Sequence, residues 1–103
     1  MPESFERGAL TEAVYMIMLA LREPRHGYSV MQYVADISNG RVKLCPGTLY
    51  GAINTLLQKE WIENIPGEDK CRRKEYMLTV VGAEILDAEA RRLEELIGLY
   101  KPR

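Results

Sequence analysis

Residues 46–61 read PGTLYGAINTLLQKEW, from Pro46 to Trp61. Apolar side chains recur at Leu49, Ile53, Leu56 and Leu57, the i, i+4, i+7, i+8 spacing of one buried helical stripe. The opposite face carries Gly47, Thr48, Gly51, Asn54, Thr55 and Gln58, with no charge among them. Solvated helix faces are normally rich in Lys and Glu. Short hydrogen-bonding side chains instead let a helix lie close against another polar surface, such as the groove of a duplex. An ordinary amphipathic helix with a quiet surface reads the same way, so the flanking sequence must separate the two.

Upstream, Met1 to Arg7 read as a frayed leader. Leu10, Ala13, Val14, Ile17, Met18 and Leu21 then mark a helix from about Gly8 to Arg22, stopped by Pro24. Tyr15, Met16 and Leu19 widen its apolar face beyond what one packing partner requires, which points to a second subunit. His26-Gly27-Tyr28 opens a second helix with Val30, Met31, Val34 and Ile37 inward, and Asn39-Gly40 supplies a left-handed stop. His26 has no acidic or cysteine neighbour in sequence and reads as a helix-start residue. Arg41 to Leu44 alternates polar and apolar as a short strand would. Pro46 suits the first turn of the helix it opens.

Downstream of Trp61 the period changes to two. Trp61, Ile62 and Ile65 form a strand that ends at Pro66-Gly67, and Glu75 to Thr79 form the return strand. The connection between them holds Lys70, Arg72, Arg73 and Lys74 and is too long for a tight turn, so it projects as a charged loop. Thr79 is an N-cap candidate for a last helix over residues 80–100. There Leu86, Ala90, Leu93, Ile97 and Tyr100 recur at alternating steps of four and three, as on a coiled-coil seam. Val81 and Ile85 are free to pack back on the body. The repeat is too short to hold a coiled coil alone. With the over-apolar first helix it predicts a homodimer in which first and last helices exchange contacts; a helix docked only on its own domain is the competing arrangement.

At 103 residues the chain has room for one modest core. Its 47% hydrophobic and 28% charged composition is that of a globular protein. The formal net charge is −1, so any nucleic-acid binding must come from a local patch and not from overall charge. Cations do gather at residues 70–74, while Glu84, Asp87, Glu89, Glu94 and Glu95 load the last helix. Cys45 and Cys71 lack metal-site spacing and read as free thiols; Cys71 sits among cations but has no resolving partner. No stretch approaches the roughly 20 apolar residues of a membrane span, and no signal sequence precedes the first helix. A cytoplasmic protein without cofactor or metal is expected.

The order of elements is helix, helix, helix, hairpin, long helix: mainly α with a small β-hairpin. That is a winged helix-turn-helix over residues 1–79 followed by a dimerisation helix over 80–103. Double-stranded DNA is the expected partner. Thr48, Gly51, Asn54 and Thr55 face a major groove, while Lys70, Arg72, Arg73 and Lys74 neutralise phosphates beside it. Lys59 and Lys43 extend the basic edge. A solvated loop is the usual fate of such a charge run, but its place directly after a groove-compatible helix favours phosphate contact.

Four segments carry a resemblance: His26-Gly27-Tyr28, Gly47-Thr48-Leu49-Tyr50, Trp61-Ile62, and Arg73-Lys74-Glu75-Tyr76-Met77-Leu78-Thr79 running into Gly82. In that order and spacing, from about Leu10 to Tyr100, the chain resembles the PadR-like transcriptional regulators, in particular the short subfamily with a single C-terminal helix. The resemblance implies a dimeric repressor on a pseudo-palindromic operator. It implies DNA-backbone contact for Thr48 and Tyr50, phosphate contact for Arg72, Arg73 and Lys74, and core positions for Leu49, Ile53 and Tyr76. Tyr50 lies at the flank of the apolar stripe, so a structural role competes there.

Two departures stand out. Many relatives have glycine where this chain has Glu60, and a left-handed Glu60 would cost on the order of 1 kcal/mol. Some short members hold flat aromatic drugs between tryptophans of the last helix, where this chain has Leu96, Ile97 and Tyr100. Tyr15, Met16, Leu19 and Leu96 are then either plain dimer core or the lining of a pocket for a small hydrophobic or aromatic effector. A winged-helix protein-interaction module without DNA binding is the alternative of another class; such modules usually lose the basic wing. An enzyme is not expected, for want of a paired-carboxylate, Cys–His or phosphate-loop constellation.

Overall fold

The structure is a computed structural model and describes residues 10–66 and 74–100. Its elements are α1 (Glu12–Ala20), β1 (Arg25–His26), α2 (Gly27–Ile37), α3 (Pro46–Gln58), β2 (Ile62–Ile65), β3 (Glu75–Leu78) and α4 (Val80–Gly98). The strands form an antiparallel sheet in the order β1-β3-β2, with Ile62 opposite Leu78 and Arg25 opposite Tyr76.

Three helix starts carry a side-chain cap. Thr11 accepts from the Val14 amide, His26 accepts through Nδ1 from the Ser29 amide, and Thr79 accepts from the Gly82 amide. These bonds satisfy amides that the first turn leaves without partners. The helix ends are as specific. Asn39 adopts a left-handed φ of 55°, while the Gly40 amide reaches the Ala35 carbonyl and the Asn39 amide that of Asp36. Glu60 repeats the device at φ 64°, with Trp61 bonded to Leu56 and Glu60 to Leu57. Both are Schellman stops. The left-handed exit is therefore kept at Glu60 without glycine. The two capping bonds and the bond from the Thr79 hydroxyl to the Glu60 carbonyl, 2.7 Å, hold it there.

The core gathers one face of every helix. Ile17, Met18, Leu21, Val30, Val34, Leu49, Ile53, Leu56, Ile62, Tyr76, Leu78 and Leu86 are all buried. At about 25 cal/mol per Å² of apolar area, side chains of this size each contribute roughly 1.5–3 kcal/mol when fully buried. Arg25 ties three elements together. Its Nε donates to the Ala20 carbonyl at 2.8 Å, its Nη1 to Ser29, and its guanidinium lies 4.6 Å from the centre of the Tyr33 ring. The Leu78 amide donates to the Leu21 carbonyl, joining the sheet to the end of α1.

Several expectations change. Arg41 to Leu44 is not a strand. Ser38 organises that segment, donating to the Val34 carbonyl and accepting from the Val42 amide, while Val42 and Leu44 pack on the core. The third strand is Arg25–His26, two residues that read as the approach to α2. Ile37, expected inward, is 43% exposed, and Val81 is 50% exposed. Glu89, one of the acids that load α4, is buried.

Candidate nucleic-acid interface

α3 presents the face that its sequence predicts. Cys45 is its N-cap residue and Pro46 its first-turn proline. Leu49, Ile53 and Leu56 are buried, whereas Gly47, Thr48, Gly51, Asn54 and Gln58 are exposed and Thr55 is half-buried. Gly47, Gly51, Asn54 and Gln58 fall at i, i+4, i+7 and i+11, so they form the centre of the outer face. Thr48 and Thr55 flank it on one side and Tyr50 on the other. A Cβ built at Gly47 or Gly51 would meet nothing within 4 Å. Among the described residues, no packing contact requires either glycine.

Tyr50 has a second neighbour. A Cβ at Gly27 would collide with the Tyr50 hydroxyl, and the Tyr50 Cζ would stand 2.7 Å away. Tyr50 therefore lies over the first turn of α2 while remaining 43% exposed. Burial pushes the Tyr76 hydroxyl above its ordinary range, and the nearby Tyr50 adds to the effect. Tyr50 is thus part of the joint between α2 and α3 as well as of the outer surface. Tyr28, next to Gly27, is 60% exposed and its hydroxyl accepts from Gln32. Gln32 and Gln58 are exposed as well. In the sequence Gln58 stands on the uncharged face of α3, while Tyr28 falls within the helix-start motif His26-Gly27-Tyr28.

At the mouth of α3, the Cys45 thiol lies 3.3 Å from the Thr48 hydroxyl, and that hydrogen bond lowers its pKa. Lys43, Lys59 and Lys74 are exposed, and the Lys59 ammonium lies 5.6 Å from the centre of the Trp61 ring. Lys74 stands immediately before β3. Lys70, Cys71, Arg72 and Arg73 lie outside the described residues.

The residues of the expected seam separate. Leu86 is buried in this chain's own core, because Gly82 and Leu86 face the body on the first turns of α4. That removes it from an exposed seam. Ala90 and Leu93 are half-buried, and Leu96, Ile97, Leu99 and Tyr100 are exposed, the last three at 74%. Tyr15, Met16 and Leu19 are half-buried against the core. A cavity of about 330 Å³ beside the end of α1 is lined by Leu19, Ala20, Arg22, Glu23, Arg25 and Tyr33. It takes in Leu19 but not Tyr15, Met16 or Leu96. Among the described residues, no group of three or more His, Cys, Asp or Glu side chains is placed to hold a metal, and no helix is long and apolar enough to cross a membrane.

Three helices, a β-hairpin behind the third and an exposed uncharged face on that third helix define a winged helix-turn-helix, a DNA-binding fold. Comparison with known proteins agrees. The PadR-like family of transcriptional regulators matches residues 16–88, and the chain belongs to that family. It is 30% identical over 99 residues to an uncharacterized protein of Lysinibacillus sphaericus, covering 91% of this chain and 89% of that one. It is 35% identical over 88 residues to an uncharacterized 37.1 kDa protein of a Streptomyces fradiae transposon, covering 84% of this chain but only 24% of that protein. Among solved structures it resembles a PadR family transcription regulator from Clostridium difficile, with a TM-score of 0.73, 19% identity, and coverage of 86% of this chain and 94% of that one.

Proposed function

We propose that this PadR-family regulator acts in the cytoplasm as a homodimeric repressor that binds a pseudo-palindromic operator through α3 and its wing. The observation that carries the reading is the outer face of α3. It combines exposed, uncharged hydrogen-bonding side chains with two glycines that no described neighbour requires. A mid-helix glycine costs about 1 kcal/mol relative to alanine. Its retention at Gly51 makes sense if a surface outside the chain must come close. Gly51, Asn54, Thr55 and Gln58 are the candidates for reading bases, and Thr48 and Tyr50 the candidates for anchoring the backbone. Lys59, Lys74 and the wing cations Lys70, Arg72 and Arg73 would neutralise phosphates.

Dimerisation is supported by the exposed apolar end of α4, where Leu96, Ile97, Leu99 and Tyr100 lack cover in the single chain. On this reading, residues 1–79 bind DNA while the helix beyond residue 80 pairs the subunits through Ala90, Leu93, Ile97 and Tyr100. Two recognition helices then meet successive major grooves about 34 Å apart. Release by a small hydrophobic or aromatic effector would use the half-buried surface of Tyr15, Met16 and Leu19 with Leu96, completed by the second subunit.

Electrophoretic mobility with a random duplex tests the core of this. The duplex should be retarded at low salt and released as salt rises, because phosphate contacts displace counterions. A chain that leaves the duplex unretarded at every salt concentration would remove the DNA reading. Planar aromatic compounds should then lower the affinity, and a screen without effect would remove the effector alone.

A further inference from the structure

Glu89 is 2% exposed, on a helix whose other acids face solvent. Arg92 grips it with a two-pronged fork, Nε to Oε1 at 2.9 Å and Nη2 to Oε2 at 2.6 Å. The Leu10 amide, 79 residues away in sequence, also donates to Oε2 at 3.2 Å. Leu10 directly precedes Thr11, the N-cap of α1. One carboxylate therefore joins the start of the first helix to the last helix. Its position along α4 is as telling. Glu89 is the last buried residue of the helix, and every described residue from Glu94 onward is exposed. It stands where α4 leaves the body.

Packing alone does not call for a carboxylate there. A buried charge carries a desolvation penalty that an apolar side chain of similar volume avoids. What the carboxylate adds is direction: Arg92, one turn along the same helix, fixes its orientation, and the Leu10 amide ties it to the start of α1, whereas apolar contacts tolerate sliding. The best-attested use of a buried polar pair is to specify register. We infer that Glu89 and Arg92 are positioning residues that lock the angle at which α4 leaves the DNA-binding body, and so set the separation of the two recognition helices in the dimer. The inference rests on the homodimer proposed above. The lever is short but sufficient. From Ala90 to Gly98 the helix extends about 14 Å, so a tilt of about 10° moves its end by roughly 2 Å. Two-fold symmetry doubles that shift, which then exceeds the base-pair rise of about 3.4 Å.

Cys45 provides the probe, since it is exposed at the start of α3. In a Cys71→Ser background, a nitroxide on Cys45 gives one label per recognition helix. Double electron–electron resonance then reads their separation across the dimer. The parent protein should give one narrow distance distribution. Glu89→Gln and Arg92→Gln should remain dimeric by light scattering and folded by circular dichroism, yet broaden the distribution at least twofold or shift its maximum. Arg92→Lys, which keeps the charge but loses the fork, should fall between. Distributions that match the parent in position and width would overturn the lock and leave the dimer reading intact. Loss of the folded state in both Gln variants would also overturn it, in favour of a purely stabilising pair. A parent protein that is monomeric and gives no dipolar coupling would take down the dimer reading together with the lock.

Discussion

A Cβ at Gly82 would land on the Trp61 carbonyl, whereas a Cβ at Gly51 would meet nothing within 4 Å. The two glycines sit on the helices that flank the hairpin, in opposite surroundings. Gly82 lets the first turn of α4 press against the chain leaving α3, where Thr79 also donates its amide to the Trp61 carbonyl at 2.9 Å. Among the described residues Gly51 answers no packing demand, so its cost in helix propensity is not offset there. A residue demanded by packing and a residue demanded by a partner can be the same amino acid. Only the space around it tells them apart.

Substitution should separate the two sides of this contrast most sharply at Gly82. Gly82→Ala drives a methyl group into backbone that cannot swing aside. We expect a loss of about 3 kcal/mol, the upper part of the range for overpacking. In thermal denaturation this is a fall of roughly 12 °C or more for a domain of this size. An unchanged Tm would mean that the close approach is not held in solution. Asn54→Ala, on the open side, should leave stability within about 0.5 kcal/mol but cost about 1–3 kcal/mol of discrimination at one base position. Binding to a panel of single-base duplex variants would show it; an unaltered preference profile would remove Asn54 from the reading face. Gly27→Ala should be intermediate in character. Its obstacle is the partly exposed Tyr50 ring, which can move, so about 1 kcal/mol is expected, together with a measurable loss of DNA affinity as Tyr50 is displaced.

The smallest effect is in pH. The Arg92 guanidinium, with help from the Leu10 amide, holds the Glu89 carboxyl below the usual glutamate range. Its folded pKa is lowered, so its stabilisation is complete above the unfolded value and is lost as pH falls through the folded one. Glu89→Gln should therefore show a flatter decline of Tm below about pH 5 than the parent. Parallel acid limbs would show that Glu89 does not contribute in this way.

Most of the fold was legible because local signals agreed with one another. Pro46, Thr79 and Asn39-Gly40 mark helix boundaries by chemistry that acts within a few residues, and the stripe from Leu49 to Leu56 needs no distant partner to be recognised. What escaped depended on distance or brevity. β1 has two residues, too few for a period to register, and exists because Glu75 and Tyr76 are there to pair with it. Glu60 looked wrong for a left-handed exit because the bond from Thr79 that helps hold it is 19 residues away. Glu89 does not stand out from the other acids of α4 in sequence, because its partner, the Leu10 amide, is 79 residues away. Leu86 fits a heptad pattern and a core pattern equally well, and periodicity along one helix does not say which surface a residue meets. At the candidate site the uncharged face was readable from sequence, but the openness around Gly51 and the seat of Tyr50 on Gly27 were not.

The central claim is that the outer face of α3 is kept small for a DNA groove. Gly51→Leu tests it most directly, with two readings on one variant: thermal stability, and affinity for a duplex enriched from a random pool by the parent protein. Leucine is the better helix former and has open space around it, so Tm should hold or rise by the equivalent of up to about 1 kcal/mol. The added side chain should hold the helix off the groove and weaken binding by tenfold or more, about 1.4 kcal/mol. A variant as stable as the parent that binds the same duplex with undiminished affinity would contradict the account.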